Sequence, residues 1–282
     1  MNTYAHQITD ELRSWLRAQL DAGCRPDDVL AAMRTSGWSG AAALHALREV
    51  MPDVEVPVEV LPPGSPVPEP AVGDGVAVID VDGHPVRVLL TMKSPRVVLF
   101  GGLLTDEECD ALVEEARPRL ARSETVVNAT GASEVNAART SDGMFFLRGE
   151  SPLIQRIENR VAKLLAWPVK WGEGLQVLHY RPGAEYKPHH DYFDPAHSGT
   201  EAVLKRGGQR VGTLVMYLNT PERGGATTFP DVALDVAAIK GNAVFFSYDK
   251  PHVNTRTLHG GAPVVAGTKW VATKWLRERE FN

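Results

Sequence analysis

Two histidines and an aspartate in the C-terminal half of the chain have the types and the spacing of a metal site. His189, His190 and Asp191 are consecutive, and His259 follows much later in the sequence. Side chains two positions apart in a strand point to the same face, so His189 and Asp191 could reach one ion while His190 points away. Together with His259 they would supply two imidazoles and one carboxylate and leave other coordination positions open for reactants.

This set of ligands is typical of non-haem iron(II) oxygenases. Lys269 lies downstream of His259 at the start of a predicted strand, where its ammonium could pair with the far carboxylate of a dicarboxylic co-substrate that chelates the iron. If the strand were shifted by one residue, His190 would replace His189 as a ligand. Zinc hydrolases use the same ligand types, but the chain contains no His-Glu-x-x-His segment to supply their general base.

The chain after residue 75 is predicted to form the strands and helices that carry these side chains. Val76–Val81 and Val86–Leu90 flank Asp82-Gly83, a sequence typical of a tight β-hairpin. Thr105 is predicted to cap a helix, because Glu108 stands where it completes a capping box. A second helix is predicted at about 151–165, and further strands at 96–100, 175–180, 211–219, 243–247, 253–259 and 269–276. This order favours an α+β fold, a double-stranded β-helix (jelly roll) core with helices packed on one side.

A small helical domain is predicted at 1–51, where apolar residues recur at helical spacing in three short helices. We expect a docking or oligomerisation module; a helix-turn-helix DNA binder is the alternative, although the segment carries slightly more acid than base. Residues 52–75 are rich in proline and acidic residues, which predicts a linker. The third predicted domain, 76–282, would hold the metal site.

Composition and charge narrow the function classes. The net charge is −5, and the acidic residues of 52–75 account for the excess, so no basic stripe indicates nucleic-acid binding. No apolar run is long enough to cross a membrane. Cys24 and Cys109 match no disulfide or zinc pattern, and the N-terminus lacks a signal-like segment. These features predict a cytoplasmic protein.

Several C-terminal segments carry a resemblance to a known family. They are Leu175–Tyr180, the His189-x-Asp191 pair, Gly224–Pro230, Gly241–Phe246 and the stretch from His259 through Lys269 to Trp275. They look like the catalytic domain of the prolyl 4-hydroxylases, which are iron(II) and 2-oxoglutarate-dependent dioxygenases. The similarity runs from about Arg96 to the C-terminus and includes Arg139–Met144, which resembles the substrate-side strand of that family.

The resemblance implies a role for each matching residue. His189, Asp191 and His259 would bind iron(II). Lys269 would pair with the 5-carboxylate of 2-oxoglutarate, with added hydrogen bonds from Tyr180 and Thr213, and Trp275 would wall the same pocket. The residues expected on the substrate side are Arg139, Tyr186, Arg210, Trp275 and Arg277. Arg277 stands where these enzymes often carry histidine, which is a departure from the family pattern.

The implied reaction is hydroxylation of an unactivated C–H bond, with peptidyl proline in a peptide or protein as the expected target. Succinate and CO2 would be released, O2 consumed, and ascorbate would act as an additional reductant. The presence of the Asp191 carboxylate favours hydroxylation over halogenation. Hydroxylation of another side chain, a small molecule or a free amino acid stays open, as does a non-catalytic 2-oxoglutarate or oxygen sensor. The polar stretch 123–138 is predicted to be a lid.

Overall fold

The structure is a computed structural model that describes residues 8–36, 38, 40–52, 64–122, 125–126, 133–134, 139–195 and 199–282. The chain divides into two compact units, Met1–Leu61 and Pro62–Asn282, called here the N-terminal and C-terminal units. Its helices are α1 Asp10–Asp21, α2 Pro26–Thr35, α3 Gly40–Val50, α4 Asp106–Ala116, α5 Pro152–Leu164 and α6 Thr200–Lys205. No helix among the described residues is both long and apolar enough to span a membrane.

The N-terminal unit consists of α1, α2 and α3, as the sequence predicted. Each helix contributes apolar residues to a small core, including the fully buried Leu16 and Leu47. Thr9 caps α1 by accepting a hydrogen bond from the Leu12 amide, and Pro26 opens α2, where the missing amide hydrogen costs nothing.

The strands of the C-terminal unit are mostly short. They are β1 Val78–Val81, β2 His84–Met92, β3 Arg96–Gly101, β4 Ala121–Arg122, β5 Thr125–Val126, β6 Ser133–Glu134, β7 Asp142–Phe146, β8 Leu175–Tyr180, β9 Tyr186–His189, β10 Arg210–Tyr217, β11 Arg223–Gly224, β12 Thr227–Phe229, β13 Leu234–Val236, β14 Ala243–Ser247, β15 His259–Gly261, β16 Val264–Ala266 and β17 Lys269–Arg277.

These strands form two main antiparallel sheets. The larger has nine strands in the order β1-β2-β3-β14-β10-β17-β8-β7-β4, and the smaller has four in the order β13-β12-β15-β9. One apolar cluster, with Leu178 and Val271 from the large sheet and Phe229 from the small one, lies between them. A second cluster joins the other face of the large sheet to α4 and α5. This arrangement confirms the predicted α+β jelly roll with helices on one side.

Two local predictions in the C-terminal unit are confirmed. β1 and β2 form a hairpin whose turn residues Asp82 and Gly83 both have positive φ, 57° and 80°, as a type I′ turn requires. At α4, the Thr105 hydroxyl accepts from the Glu108 amide at 3.2 Å, and the Glu108 carboxylate accepts from the Thr105 amide at 3.1 Å. The capping box is therefore complete.

Replacing Thr105 by alanine is expected to lower the free energy of unfolding by about 1 kcal/mol, because the Glu108 amide at the helix start loses its acceptor. Urea denaturation measures this change. Thr105→Ser keeps the acceptor and should stay close to the wild-type value. An equal loss in the serine variant would show that the methyl group, not the cap, stabilises the helix.

One predicted strand is wrong. The segment 253–259 was expected to be extended, but Val253–Thr255 form a 3-10 turn and Arg256 has a left-handed φ of 55°. The His252 ring accepts from the Asn254 amide at 3.1 Å, and the Thr255 hydroxyl donates to the His252 carbonyl at 2.8 Å. Such local bonds compete with strand pairing. His259 therefore begins β15 instead of ending a longer strand.

The second half of the predicted linker, 52–75, is not a free linker, because residues from 64 onward pack within the C-terminal unit. The Ser65 amide donates to the Asp249 carbonyl at 2.6 Å, and the Glu69 amide donates to the Leu165 carbonyl at 3.2 Å. Pro68 and Pro70 are buried. This part thus belongs to the C-terminal unit, which begins at Pro62 and not at residue 76. Of the predicted lid, 123–138, only the antiparallel pair β5 and β6 is described; the rest lies outside the described residues.

Candidate active site

Three predicted ligands meet at the edge of the small sheet. β9 and β15 are neighbours, and His189 is paired directly with His259. Asp191 follows β9 in a bend. Its Oδ1 lies 3.5 Å from His189 Nε2, and its Oδ2 lies 3.4 Å from His259 Nε2. One ligand atom from each of the three residues lies within 4.8 Å of the others, so a single ion could bind all three.

The hydrogen bonds of the two imidazoles engage Nδ1 and leave Nε2 available to bind a metal ion. His189 Nδ1 lies 2.9 Å from the Lys187 carbonyl, and His259 Nδ1 lies 3.0 Å from the Thr257 carbonyl. Because a carbonyl only accepts, each Nδ1 must carry the hydrogen. In the neutral ring, Nε2 then has a lone pair directed at the shared position, which is the tautomer that a metal ion needs.

The protonation states also fit a metal site. Burial and the neighbouring His259 lower the pKa of His189, which keeps its imidazole neutral. Burial alone would raise the pKa of Asp191, but the charge and hydrogen bonds of His259 and His189 outweigh it and hold that pKa well below its usual value. A neutral imidazole beside an ionised carboxylate is the state that binds a divalent cation.

His190 does not belong to this group. Its ring stacks on Tyr192 with centroids 4.7 Å apart, and burial lowers its pKa to about 4. His189 and Asp191 therefore lie together and His190 lies apart from them, as predicted, although β9 ends at His189 and Asp191 lies in the bend that follows.

A cavity between the two sheets opens from these ligands. Alternate residues of β17 line it, namely Lys269, Val271, Thr273 and Trp275, and Leu178 and Tyr180 of the neighbouring strand β8 complete that wall. The i, i+2 alternation explains why Lys269 and Trp275 share this surface.

Lys269 is a buried cation in the cavity wall. It is 4% exposed, and no carboxylate among the described residues forms an ion pair with it. Its Nζ lies 5.5 Å from the centroid of the Tyr180 ring and 5.9 Å from that of Tyr217. Burial lowers the pKa of Lys269 to about 8. A buried ammonium without a counter-ion is costly, and an anionic ligand in the cavity would remove that cost.

The two threonines of the cavity have different partners. Thr213 was expected beside the far carboxylate of the co-substrate, but its hydroxyl donates to Asp191 Oδ2 at 2.7 Å. Thr227, which was not singled out, accepts from the Tyr217 hydroxyl at 2.9 Å and pairs with Gly261, which lies against Lys269 Nζ. Thr227 therefore keeps its hydroxyl hydrogen for a ligand at Lys269. The Gly224–Pro230 motif contained this residue, but spacing alone did not show its direction.

Arg139 and Tyr186, two of the predicted substrate residues, line the cavity. The Arg139 guanidinium lies 4.8 Å from the centroid of the Tyr186 ring and donates to Gln176 Oε1 at 2.7 Å. The Tyr186 ring stacks on His189 at 3.7 Å. This pair therefore lies beside the metal ligands.

Arg210 and Arg277, the other two arginines expected at the substrate, do not line the cavity. Both bind the carboxylate of Glu173, Arg210 through two bonds of 2.7 and 2.9 Å and Arg277 through one of 2.9 Å. Arg277 is 1% exposed, so the structure does not support a substrate contact for it. It shares the strand face of Trp275 but lies one pleat beyond the cavity. Arg210 instead covers the Trp275 ring, at 4.1 Å from its centroid.

The donor set of this site suits iron(II) and 2-oxoglutarate. Two neutral imidazoles and one carboxylate leave coordination positions open for a chelating ligand. The buried Lys269 has no counter-ion among the described residues, and Thr227, whose hydroxyl accepts from Tyr217, lines the same cavity. A dicarboxylate that chelates the ion could therefore place its second carboxylate against Lys269 and Thr227.

Comparisons with known proteins agree with this chemistry. The model of the 2OG-Fe(II) oxygenase superfamily matches residues 175–277. Prolyl 4-hydroxylase 5 of Arabidopsis thaliana is 38% identical over 225 residues, which cover 72% of this chain and 76% of that protein. Prolyl 4-hydroxylase 1 of the same plant is 41% identical over 204 residues, 66% of this chain and 70% of that protein.

Among solved structures, the 2OG complex of the viral collagen prolyl hydroxylase from Paramecium Bursaria Chlorella virus-1 superposes with a TM-score of 0.50 at 29% identity. The match covers 64% of this chain and 95% of the viral one. The C-terminal unit is thus similar to these enzymes in both fold and sequence. The chain belongs to the prolyl 4-hydroxylase family of 2-oxoglutarate-dependent iron(II) dioxygenases.

Proposed function

We propose that this dioxygenase hydroxylates proline in a peptide or protein at C4. The observation that carries the proposal is the presence, in one cavity, of the His189, Asp191 and His259 group and a buried lysine without a counter-ion among the described residues. The relatives at 38% and 41% identity are named prolyl 4-hydroxylases, which supports proline as the target.

In this proposal, His189, Asp191 and His259 hold iron(II), which activates dioxygen so that one oxygen atom enters a C–H bond while 2-oxoglutarate becomes succinate and CO2. Lys269 binds the far carboxylate of 2-oxoglutarate through a charge-assisted hydrogen bond. Thr227 and Tyr180 supply further hydroxyl donors. The apolar residues between them, Leu178 and Val271, exclude water from the reacting centre.

The substrate side of the cavity is aromatic and contains one hydrogen-bond donor without a partner among the described residues. Trp275 Nε1 is buried and has no partner within the described part of the chain, so it can donate to a backbone carbonyl of a bound peptide. Phe145 neighbours Trp275, with ring centroids 6.4 Å apart, and is 48% exposed. Aromatic surfaces of this kind bind proline-rich segments in other peptide-binding proteins. Arg139 and Tyr186 complete this side.

The experiment that tests the function measures succinate release from 2-oxoglutarate by the iron(II)-loaded protein. A proline-rich peptide should increase the rate of succinate release, and its mass should rise by one oxygen atom, located on proline. The same peptide with alanine in place of proline should show neither change. His259→Ala provides the background. Succinate without any effect of the peptide would keep the dioxygenase and reject proline as the target.

The affinity for 2-oxoglutarate is expected to fall as the pH rises through about 8, because Lys269 of the free enzyme loses its proton there. The neutral amine cannot pair with a carboxylate, so KM for 2-oxoglutarate should rise by about tenfold per pH unit above that value. In the complex the carboxylate restores the charge, so kcat should change little. Steady-state kinetics across this range measures both, and a constant KM would contradict the role of Lys269.

A further inference from the structure

The three metal-binding side chains are held in different ways. The two imidazoles are oriented by main-chain carbonyls of their own segments, those of Lys187 and Thr257. Asp191 lies beyond the end of β9, in a bend without strand pairing. Its carboxylate is oriented from the opposite sheet, by the hydroxyl of Thr213 on β10. It is therefore the ligand whose position depends on a side chain.

The Thr213 hydroxyl has a second partner, the hydroxyl of Tyr248, at 2.9 Å. Tyr248 follows β14 directly, and β14 is the neighbour of β10 in the large sheet. Tyr248, Thr213 and Asp191 are all buried, with 2%, 0% and 7% exposure. Buried hydroxyl groups need hydrogen-bond partners, and these bonds supply them for Thr213 and Tyr248.

The direction of each hydrogen bond in this chain is determined. The Thr213 hydroxyl has a single hydrogen, which it donates to Asp191 Oδ2. The Thr213 oxygen can then only accept from Tyr248, which must donate. Burial raises the pKa of Tyr248 well above its usual value, so the phenol keeps this hydrogen across the working pH range.

We propose that Tyr248 is a positioning residue of the metal centre, which acts through Thr213 to hold the Asp191 carboxylate in the orientation that binds the ion. The proposal rests on the assignment of Asp191 as a ligand in the proposed function. Donation from Tyr248 polarises the Thr213 hydroxyl and strengthens its bond to Asp191. It also gives the Thr213 oxygen a second hydrogen bond, which helps to hold the hydroxyl in the position from which it donates to Asp191.

The test measures the dissociation constant of Mn(II) alone, from the electron paramagnetic resonance signal of the free ion. Thr213→Val, which keeps the shape of threonine, is expected to raise this constant by about 10- to 100-fold, and Thr213→Ser should restore most of the loss. Tyr248→Phe, which removes one oxygen, is expected to raise it by about threefold to tenfold. The visible spectrum of the Co(II)-loaded protein should shift in Thr213→Val and Tyr248→Phe, because the carboxylate turns.

Tyr192→Phe is the matched control. Tyr192 contacts the Tyr248 ring, with centroids 6.1 Å apart, but its hydroxyl does not bond to Thr213 or Asp191. A wild-type Mn(II) constant and spectrum in Tyr248→Phe, or equal changes in Tyr192→Phe, would overturn the proposal. Asp191→Ala distinguishes a failure of this proposal from a failure of the proposed function. If wild type binds Mn(II) no better than Asp191→Ala, the ligand assignment itself fails.

Discussion

His189→Ala is expected to weaken Mn(II) or iron(II) binding by at least about 100-fold, and to reduce succinate formation to background, whereas His190→Ala should retain both. His189 faces Asp191 and His259 with a free Nε2. His190, its immediate neighbour, stacks on Tyr192 outside the group. Because the two variants remove the same ring from adjacent positions, the pair separates loss of a ligand from loss of a buried imidazole.

Metal titration and succinate release should be measured on both variants, together with their thermal unfolding. A His190→Ala protein that folds but loses the metal would reverse the assignment and show that β9 is displaced by one residue. Loss of metal in neither variant would show that no histidine of β9 is a ligand and would contradict the assignment of His189. Added imidazole offers a further check, since it can restore the lost ligand in His189→Ala, whereas His190→Ala has no lost ligand to restore.

Lys269→Met is expected to raise KM for 2-oxoglutarate by about two to four orders of magnitude. The ammonium is buried and has no counter-ion among the described residues, so in the variant the far carboxylate of the co-substrate would enter the same cavity unpaired. Removing one partner of a buried ion pair costs about 3–5 kcal/mol, which corresponds to this loss of affinity. Methionine keeps the length and apolar stem of lysine, so the cavity wall should persist.

Comparison with 2-oxobutyrate, a co-substrate without the far carboxylate, tests whether Lys269 recognises that carboxylate. The wild type should strongly prefer 2-oxoglutarate to 2-oxobutyrate, and Lys269→Met should lose most of that preference, as in a double-mutant cycle between enzyme and ligand. Lys240→Met is a suitable control, because Lys240 pairs with Asp110 on the surface. If Lys269→Met weakened both co-substrates equally, lysine would support the cavity structurally and would not recognise the carboxylate.

Much of the site could be predicted from the sequence because it depends on local rules. The i, i+2 spacing predicted His189 and Asp191 on one side and His190 on the other, and this holds although Asp191 lies in the bend just after β9. Alternation within β17 puts Lys269 and Trp275 on one wall. The capping box of Thr105 and Glu108 and the turn at Asp82-Gly83 follow from a few adjacent residues. Such features need no knowledge of distant parts of the chain, and the structure has all of them.

Contacts across the two sheets were decided only by the tertiary structure. The family resemblance implied that Thr213 would bind the far carboxylate beside Lys269, and Thr213 does line the cavity, but the bend after β9 brings Asp191 to its hydroxyl. Thr227 instead pairs with Gly261, the glycine that lies against Lys269 Nζ. Arg277 has the expected strand face, but its guanidinium binds the buried Glu173 carboxylate and does not line the cavity.

The role of Tyr248 also depends on contacts between distant strands, and no sequence motif indicated it. The sequence by itself determined the kinds of ligand, their alternation on the strands and the family to which the chain belongs. The tertiary structure decided which hydroxyl meets which carboxylate, because these partners come from strands far apart in the chain and their distances depend on how the large and small sheets pack. A buried hydroxyl must find a partner, but only the packed sheets determine that the partner of Tyr248 is Thr213 and that of Thr213 is Asp191.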